Sequence, residues 1–187
     1  MTPFRAFAGG ILTVVLLAAA IGKLADLRGF RRVLAGYGWI PLPLQVPISI
    51  VLPALEFVCA VVVWTPLWRP GALLTCAVLL SFNVVLVFAI ATGRRVECGC
   101  FGSGSSDRVS GVAIARNIVL AVLSLAIVLT GSMGQVAGAL VPALFAGVGS
   151  GLVIIIADQA GSVFRENWLR PESLESRPEL LMEVEPR

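Results

Sequence analysis

The run Glu97-Cys98-Gly99-Cys100-Phe101-Gly102 separates two long apolar stretches, one ending near residue 91 and the next beginning near residue 111. Two cysteines with one residue between them have sulfurs close enough to bridge, and Gly99 gives the backbone the freedom that so tight a ring needs. Arg94 and Arg95, just upstream, favour the thiolate, which is the form that attacks disulfides and binds metals. The run therefore predicts a redox or metal-binding loop between two helices.

The composition around this loop is that of a membrane protein. Of the 187 residues, 58% are hydrophobic and only 13% are charged, whereas a soluble domain carries roughly 25% charged residues. Histidine is absent, which removes the commonest general base and the commonest metal ligand. The net charge of +3 is small, and the basic residues of the chain are distributed as the membrane topology predicted below requires. We therefore expect the lipid bilayer, and no nucleic acid, as a partner.

Five apolar stretches are long enough to cross a hydrocarbon core of ~30 Å at ~1.5 Å per residue. They are predicted at residues 6–22, 46–64, 71–91, 111–130 and 136–157. We therefore predict an all-α polytopic membrane protein, in which a four-helix transmembrane bundle is joined by a fifth transmembrane helix within residues 1–160. Residues 23–45 are expected to form a basic loop, and residues 161–187 a charged C-terminal tail.

The basic residues predict how the chain crosses the cell membrane. With five spans, the first loop, the cysteine loop and the C-terminal tail share one face. Only Arg5 and Arg69 of the 14 Lys and Arg lie on the other face, so twelve belong to the first. The positive-inside rule then places the cysteine loop and the C-terminus in the cytoplasm, and the N-terminus outside.

One charged side chain is expected near the middle of a span. Glu56 lies near the middle of the second span, where an ionised residue costs ~2.5–3.5 kcal/mol, so it is either protonated or paired within the bundle. Lys23 and Asp26 belong to the same face as the cysteine loop and are expected to join Glu56 in a polar cluster. Arg116, at the start of the fourth span, is expected to favour the thiolate together with Arg94 and Arg95.

Two further residue pairs, one of cysteines and one of glycines, each allow two structural roles. Cys59 and Cys76 flank the second turn and are expected ~7 Å inside the opposite interface at ~1.5 Å per residue. They form either a second thiol pair or ordinary apolar filling. Gly147 and Gly151 form a G-x-x-x-G face for close helix contact, either within the bundle or between chains of a homo-oligomer.

Several of these motifs together resemble the MauE family of methylamine-utilisation membrane proteins, which are related to DoxX-like small membrane proteins. The resemblance rests on the following elements of spans one to four: Ala20-Ile21-Gly22-Lys23-Leu24 with Asp26, Pro53 with Glu56, Cys98-Gly99-Cys100-Phe101-Gly102, and Arg116-Asn117. It implies a multi-pass bundle that works with a thioredoxin-like partner in the maturation of a disulfide-rich exported protein. In the family that protein is the small subunit of methylamine dehydrogenase.

The favoured function is thiol–disulfide exchange at the membrane, in which Cys98 and Cys100 cycle between dithiol and disulfide. A second hypothesis is a non-catalytic assembly or scaffold protein, in which a Cys98–Cys100 bridge stiffens a docking loop. A third is a metal-handling site that uses the two thiolates, with Asp107 as a further candidate ligand. No cofactor is identified from the residues, although a quinone-linked oxidoreductase is compatible with them.

Overall fold

Helices make up almost the whole of what the structure describes. The computed structural model describes residues 2–92, 111–130 and 139–168, with side chains described as far as residue 161. In chain order the helices of this part are α1 (Pro3–Ala25), α2 (Leu27–Gly36), α3 (Leu42–Val62), α4 (Trp68–Ala91), α5 (Gly111–Thr130) and α6 (Leu140–Trp168). These ranges contain no strand, so the predicted all-α class is confirmed.

Five of these helices are long and apolar enough to cross a membrane, namely α1, α3, α4, α5 and the Leu140–Gly161 part of α6. The predicted number of five spans is therefore confirmed, and most helix ends lie within four residues of the predicted ones. The largest difference is in α6, which continues to Trp168. The first residues of the predicted charged tail are thus a helical extension of the last span.

The prediction of a loop over residues 23–45 was wrong, because this segment contains helix α2. The Asp26 side chain caps it by accepting a hydrogen bond from the Gly29 backbone N–H at 2.8 Å. Phe30, Val33 and Leu34 are buried, and their spacing places them on one face of a helix. The helix ends at Gly36, and Gly38, just after its cap Tyr37, has a φ of 70°, the left-handed conformation that favours glycine after a helix.

The first helix is the centre of the bundle. It packs most extensively against α6 and α3, and it also contacts α5. Of its most apolar stretch, 56% is buried, compared with 28% to 33% for α3, α4 and α5 and 11% for α6. The arrangement is therefore a bundle of α1, α3, α4 and α5, with α6 added on the outside against α1 and exposing most of its surface to lipid.

Small residues allow α6 to approach α1 backbone to backbone. A Cβ on Gly147 would overlap the backbone oxygen of Phe7, and one on Gly10 would lie 3.1 Å from the backbone nitrogen of Val148. A Cβ on Gly151 would lie 3.0 Å from the Val14 side chain. Of the two contacts predicted for the G-x-x-x-G face, this is the one within the bundle, and α1 covers that face.

Hydrogen bonds between helices tie the remaining contacts together. The Thr13 hydroxyl donates to the Ala60 carbonyl at 3.1 Å and accepts from the Trp64 indole at 2.7 Å, which joins α1 to the end of α3. The Ser124 hydroxyl, fully buried, donates to the Ala72 carbonyl at 2.7 Å and joins α5 to α4. These bonds satisfy polar groups that could not form hydrogen bonds with the hydrocarbon chains of the lipid.

Candidate functional site

A buried ion pair lies between α1 and α3. Lys23, in the last turn of α1, donates to both carboxylate oxygens of Glu56, with Nζ–Oε1 at 2.6 Å and Nζ–Oε2 at 2.8 Å. Each side chain is only 3% exposed. The Lys23 ammonium also lies 5.8 Å from the ring centroid of Phe30 in α2 and 5.7 Å from that of Phe82 in α4. The cation therefore has a carboxylate and two aromatic faces around it.

A second ion pair joins α5 to α6. Arg116 Nη1 lies 2.7 Å from Asp158 Oδ2, and the side chains are 9% and 18% exposed. Arg116 also interacts electrostatically with Lys23 and with Glu56, so the two pairs form one cluster. We call these four residues the charge layer. It takes one charged group from each of four spans, and the charges sum to zero.

The sequence around Glu56 makes α3 a suitable support for the layer. Pro53 lies one turn before it and is fully buried, and so is Ser49, one turn further back. Pro53 has no N–H, so the Ser49 carbonyl loses its usual helical donor. The Ser49 hydroxyl donates to the Val46 carbonyl at 2.7 Å and accepts from Arg31 Nε of α2 at 3.2 Å. Helix α2 is thus fastened to α3 beside the charge layer.

The structure accounts for the predicted supporting residues in different ways. Glu56 and Lys23, two members of the expected polar cluster, form an ion pair, and Arg116 joins them through the charge layer. Asn117, next in α5, is buried and lines a cavity beside the layer. Asp26 caps α2 through its side chain.

The predicted thiol loop lies outside the described residues. This applies to Cys98, Cys100 and the residues predicted with them: Arg94, Arg95, Gly99, Phe101 and Gly102. In the sequence these residues lie between α4, which ends at Ala91, and α5, which begins at Gly111. Arg116 is in the second turn of α5, so the charge layer lies beneath that end of the bundle.

The other two cysteines are described, and both are free thiols. Cys59 is 1% exposed and belongs to the main apolar core, while Cys76 is partly buried against it. Among the described residues, no group of three or more His, Cys, Asp or Glu is placed to hold a metal ion. A second thiol pair at Cys59 and Cys76 stays a prediction.

Sequence reasoning missed two features of this site. Asp158 directly follows the predicted end of the last span at residue 157 and was not expected in the site, although it lies inside α6 and pairs with Arg116. A carboxylate right after a long apolar stretch is a signal for such a pair, but the sequence does not say which cation it meets. Phe30 and Phe82 were also missed, because α2 was not expected and an aromatic residue within an apolar span has no distinguishing pattern.

Comparison with known proteins gives one consistent result. The model of the family described as methylamine utilisation protein MauE matches residues 1–131, which include the charge-layer residues Lys23, Glu56 and Arg116 and the whole cysteine run. The methylamine utilization protein MauE of Paracoccus denitrificans is 36% identical over 118 residues, which is 62% of this chain and 63% of that protein. Its counterpart from Methylophilus methylotrophus is 33% identical over 122 residues, 64% of each chain. The match therefore spans less than two thirds of these relatives. No solved structure matches the chain.

Proposed function

The chain belongs to the MauE family, and from that premise we propose that it serves methylamine utilisation as a membrane thiol–disulfide exchange protein. Its exchange centre is Cys98 and Cys100, and its partner is a thioredoxin-like protein that matures an exported, disulfide-rich protein. The observation that carries the proposal is the position of the cysteine pair. It lies within the matched residues 1–131, between the end of α4 and the beginning of α5 in the sequence.

The chemistry of the exchange needs only the two thiols and a partner disulfide. One thiolate attacks a partner sulfur and forms a mixed disulfide, and the second thiolate then displaces the partner's remaining thiolate. The Cys98–Cys100 pair becomes a disulfide, and the partner gains two electrons and two protons. The same steps run in reverse when the partner is the reductant. Arg94 and Arg95 support the thiolate form by their positive charge.

The described residues on both sides of the cysteine run belong to helices α4 and α5. These helices pack closely along their length. Arg116 is held by Asp158 at 2.7 Å, so one strong positive charge is fixed in the second turn after the loop.

The proposed orientation follows the basic residues, with the cysteine loop in the cytoplasm and the N-terminus outside. The thioredoxin-like partner would then meet the loop on the cytoplasmic face. If the loop faces outward, the partner meets it in the exported compartment, and the exchange chemistry is unchanged.

The experiment traps the partner on single cysteine variants. Cys98→Ser and Cys100→Ser are each expressed in a Cys59→Ala/Cys76→Ala background, so that one thiol remains. We expect one of the two variants to accumulate a mixed disulfide with a thioredoxin-like protein, which reductant releases. The background variant, with both loop cysteines intact, is the matched control and should show little trapped partner.

The rival hypotheses give different results in the same strains. If Cys98→Ser/Cys100→Ser supports growth on methylamine as well as the background variant and neither single variant traps a partner, the scaffold hypothesis is correct and the exchange proposal is wrong. A purified protein that carries a metal ion lost in the double variant would instead favour the metal-handling site.

A further inference from the structure

A long cavity lies beside the charge layer, and nothing in the proposed function uses it. Its volume is about 550 Å³, and residues of α1, α2, α3, α4 and α5 line it. On α4 the lining runs from Leu74 to Leu86, and on α3 from Leu44 to Glu56. At ~1.5 Å per residue each wall is ~18 Å long. Sites for small ligands typically have ~300–1,000 Å³, so the cavity has the size of a ligand site and an elongated shape.

The cavity is present because α3 and α4 meet closely at one end only. Beside their connecting turn, a Cβ on Gly71 would overlap the Val62 side chain. Over their whole length the two helices contact each other much less than α1 contacts α3. Leu44 and Leu74 line the cavity and are 50% and 40% exposed. The cavity is therefore open on the side of the bundle formed by α3 and α4.

The inner wall carries a small polar patch within an otherwise apolar lining. Lys23, Glu56, Arg116 and Asn117 all line the cavity. The ammonium, guanidinium and amide groups offer donors, which suit carbonyl oxygens. The two cations are paired with Glu56 and Asp158, so the patch has no net charge to attract an anion. It is suited to a neutral ligand with carbonyl acceptors.

Aromatic rings frame this patch. Phe30 and Phe82 both line the cavity, and both lie within 6 Å of the Lys23 ammonium. A flat ring placed against the patch would meet their faces or edges, an arrangement that aromatic groups favour. The hydrocarbon part of such a ligand would follow the apolar walls and leave between α3 and α4.

We propose that this cavity binds a membrane quinone, with the carbonyl-bearing ring against the polar patch and the hydrocarbon chain along α3 and α4. A phospholipid fits less well, because its charged head group belongs at the interface, whereas Glu56 lies fourteen residues into α3. The inference concerns binding alone and does not rest on the thiol exchange proposed above. Loss of one leaves the other intact.

The test measures binding of decylubiquinone to the full chain in nanodiscs made from quinone-free phospholipid. Wild-type protein should bind it saturably, at about one molecule per chain. Ala77 lines the cavity and is exposed to it, so Ala77→Phe fills part of the space and should weaken binding at least tenfold. Val84→Phe is the matched control, because Val84 lies on the same helix, is 69% exposed and is not part of the lining.

Both variants add bulk at exposed positions, so both should keep the helical content and elution volume of the wild type. Absence of saturable binding, or equal binding by Ala77→Phe and Val84→Phe, overturns the proposal. Competition tests the ring itself: 1-decanol has the chain without the carbonyls and should displace the quinone at least tenfold less well than unlabelled decylubiquinone. Equal displacement would mean that the cavity takes any hydrocarbon chain, and the assignment to quinones would be wrong.

Discussion

Breaking the Lys23–Glu56 pair from either side should destabilise the protein strongly, while removing both charges together should not. Lys23→Met and Glu56→Leu each replace a charged side chain by an apolar one of similar size. Each single variant leaves the other partner ionised, at a site where the side chains are 3% exposed. The double variant leaves neither charge, and the charge layer remains neutral through Arg116 and Asp158.

The magnitudes follow from the burial of the pair. Removing one partner of a buried ion pair costs ~3–5 kcal/mol, which is a factor of about 10² to 10⁴ in the folding equilibrium. Replacing both partners by apolar residues of similar volume is often neutral or even stabilising. We therefore expect each single variant to lose ~3–5 kcal/mol, and the double variant to lie within ~1 kcal/mol of the wild type. The two effects are then far from additive.

Reversible unfolding in mixed micelles, followed by far-ultraviolet circular dichroism during titration with dodecyl sulfate, measures these differences. Arg32→Met is the matched control, because it removes a cation at an exposed position of α2 and should change stability by less than ~0.5 kcal/mol. The reasoning fails if the double variant loses as much as the sum of the two single variants. It also fails if either single variant behaves like Arg32→Met.

Two further predictions concern the packing of α6 and the orientation of the chain. Gly147→Leu should separate α6 from α1 and cost ~1–3 kcal/mol by overpacking. Gly149→Leu on the same helix should cost almost nothing, because a Cβ there meets no atom within 4 Å; equal melting temperatures would contradict the close contact. In a Cys59→Ala/Cys76→Ala background, a membrane-impermeant maleimide should label the loop cysteines of inside-out vesicles and spare those of intact cells. Labelling of intact cells would reverse the proposed orientation.

The spans were predictable because each is an uninterrupted apolar run, and only helices of that length satisfy their own backbone in lipid. The helix between the first two spans was not predicted, since three arginines and several turn residues suggested a loop. A signal was present: Asp26 is a capping residue, and Phe30, Val33 and Leu34 follow at helical spacing. An amphipathic helix of ten residues is simply shorter than any span, so a search for apolar runs overlooks it.

The sequence predicted several residues of the candidate site, but it did not predict which of them pair with each other. An ionised Glu56 at that depth had to find a partner, and the sequence offered Lys23 on the correct face. The pairing of Arg116 with Asp158 depends on how α6 crosses α1, which is set by small residues such as Gly10 and Gly147 packed backbone to backbone. The polar residues alone do not predict how these helices cross. The cavity likewise results from how α3 and α4 diverge, which no local pattern in either helix shows.

The charge layer is not explained by stability. If apolar residues in place of Lys23 and Glu56 leave the protein about as stable, as buried pairs in other proteins indicate, then packing alone does not require the pair. Ionisable groups within spans are costly to insert and usually belong to a functional site. Here Lys23, Glu56 and Arg116 of the layer line the cavity, and Arg116 lies in the second turn of the helix that follows the cysteine run in the sequence. A variant that lacks the Lys23–Glu56 pair but folds normally would therefore isolate its role: loss of quinone binding would assign the pair to the cavity, and loss of partner exchange would assign it to the loop.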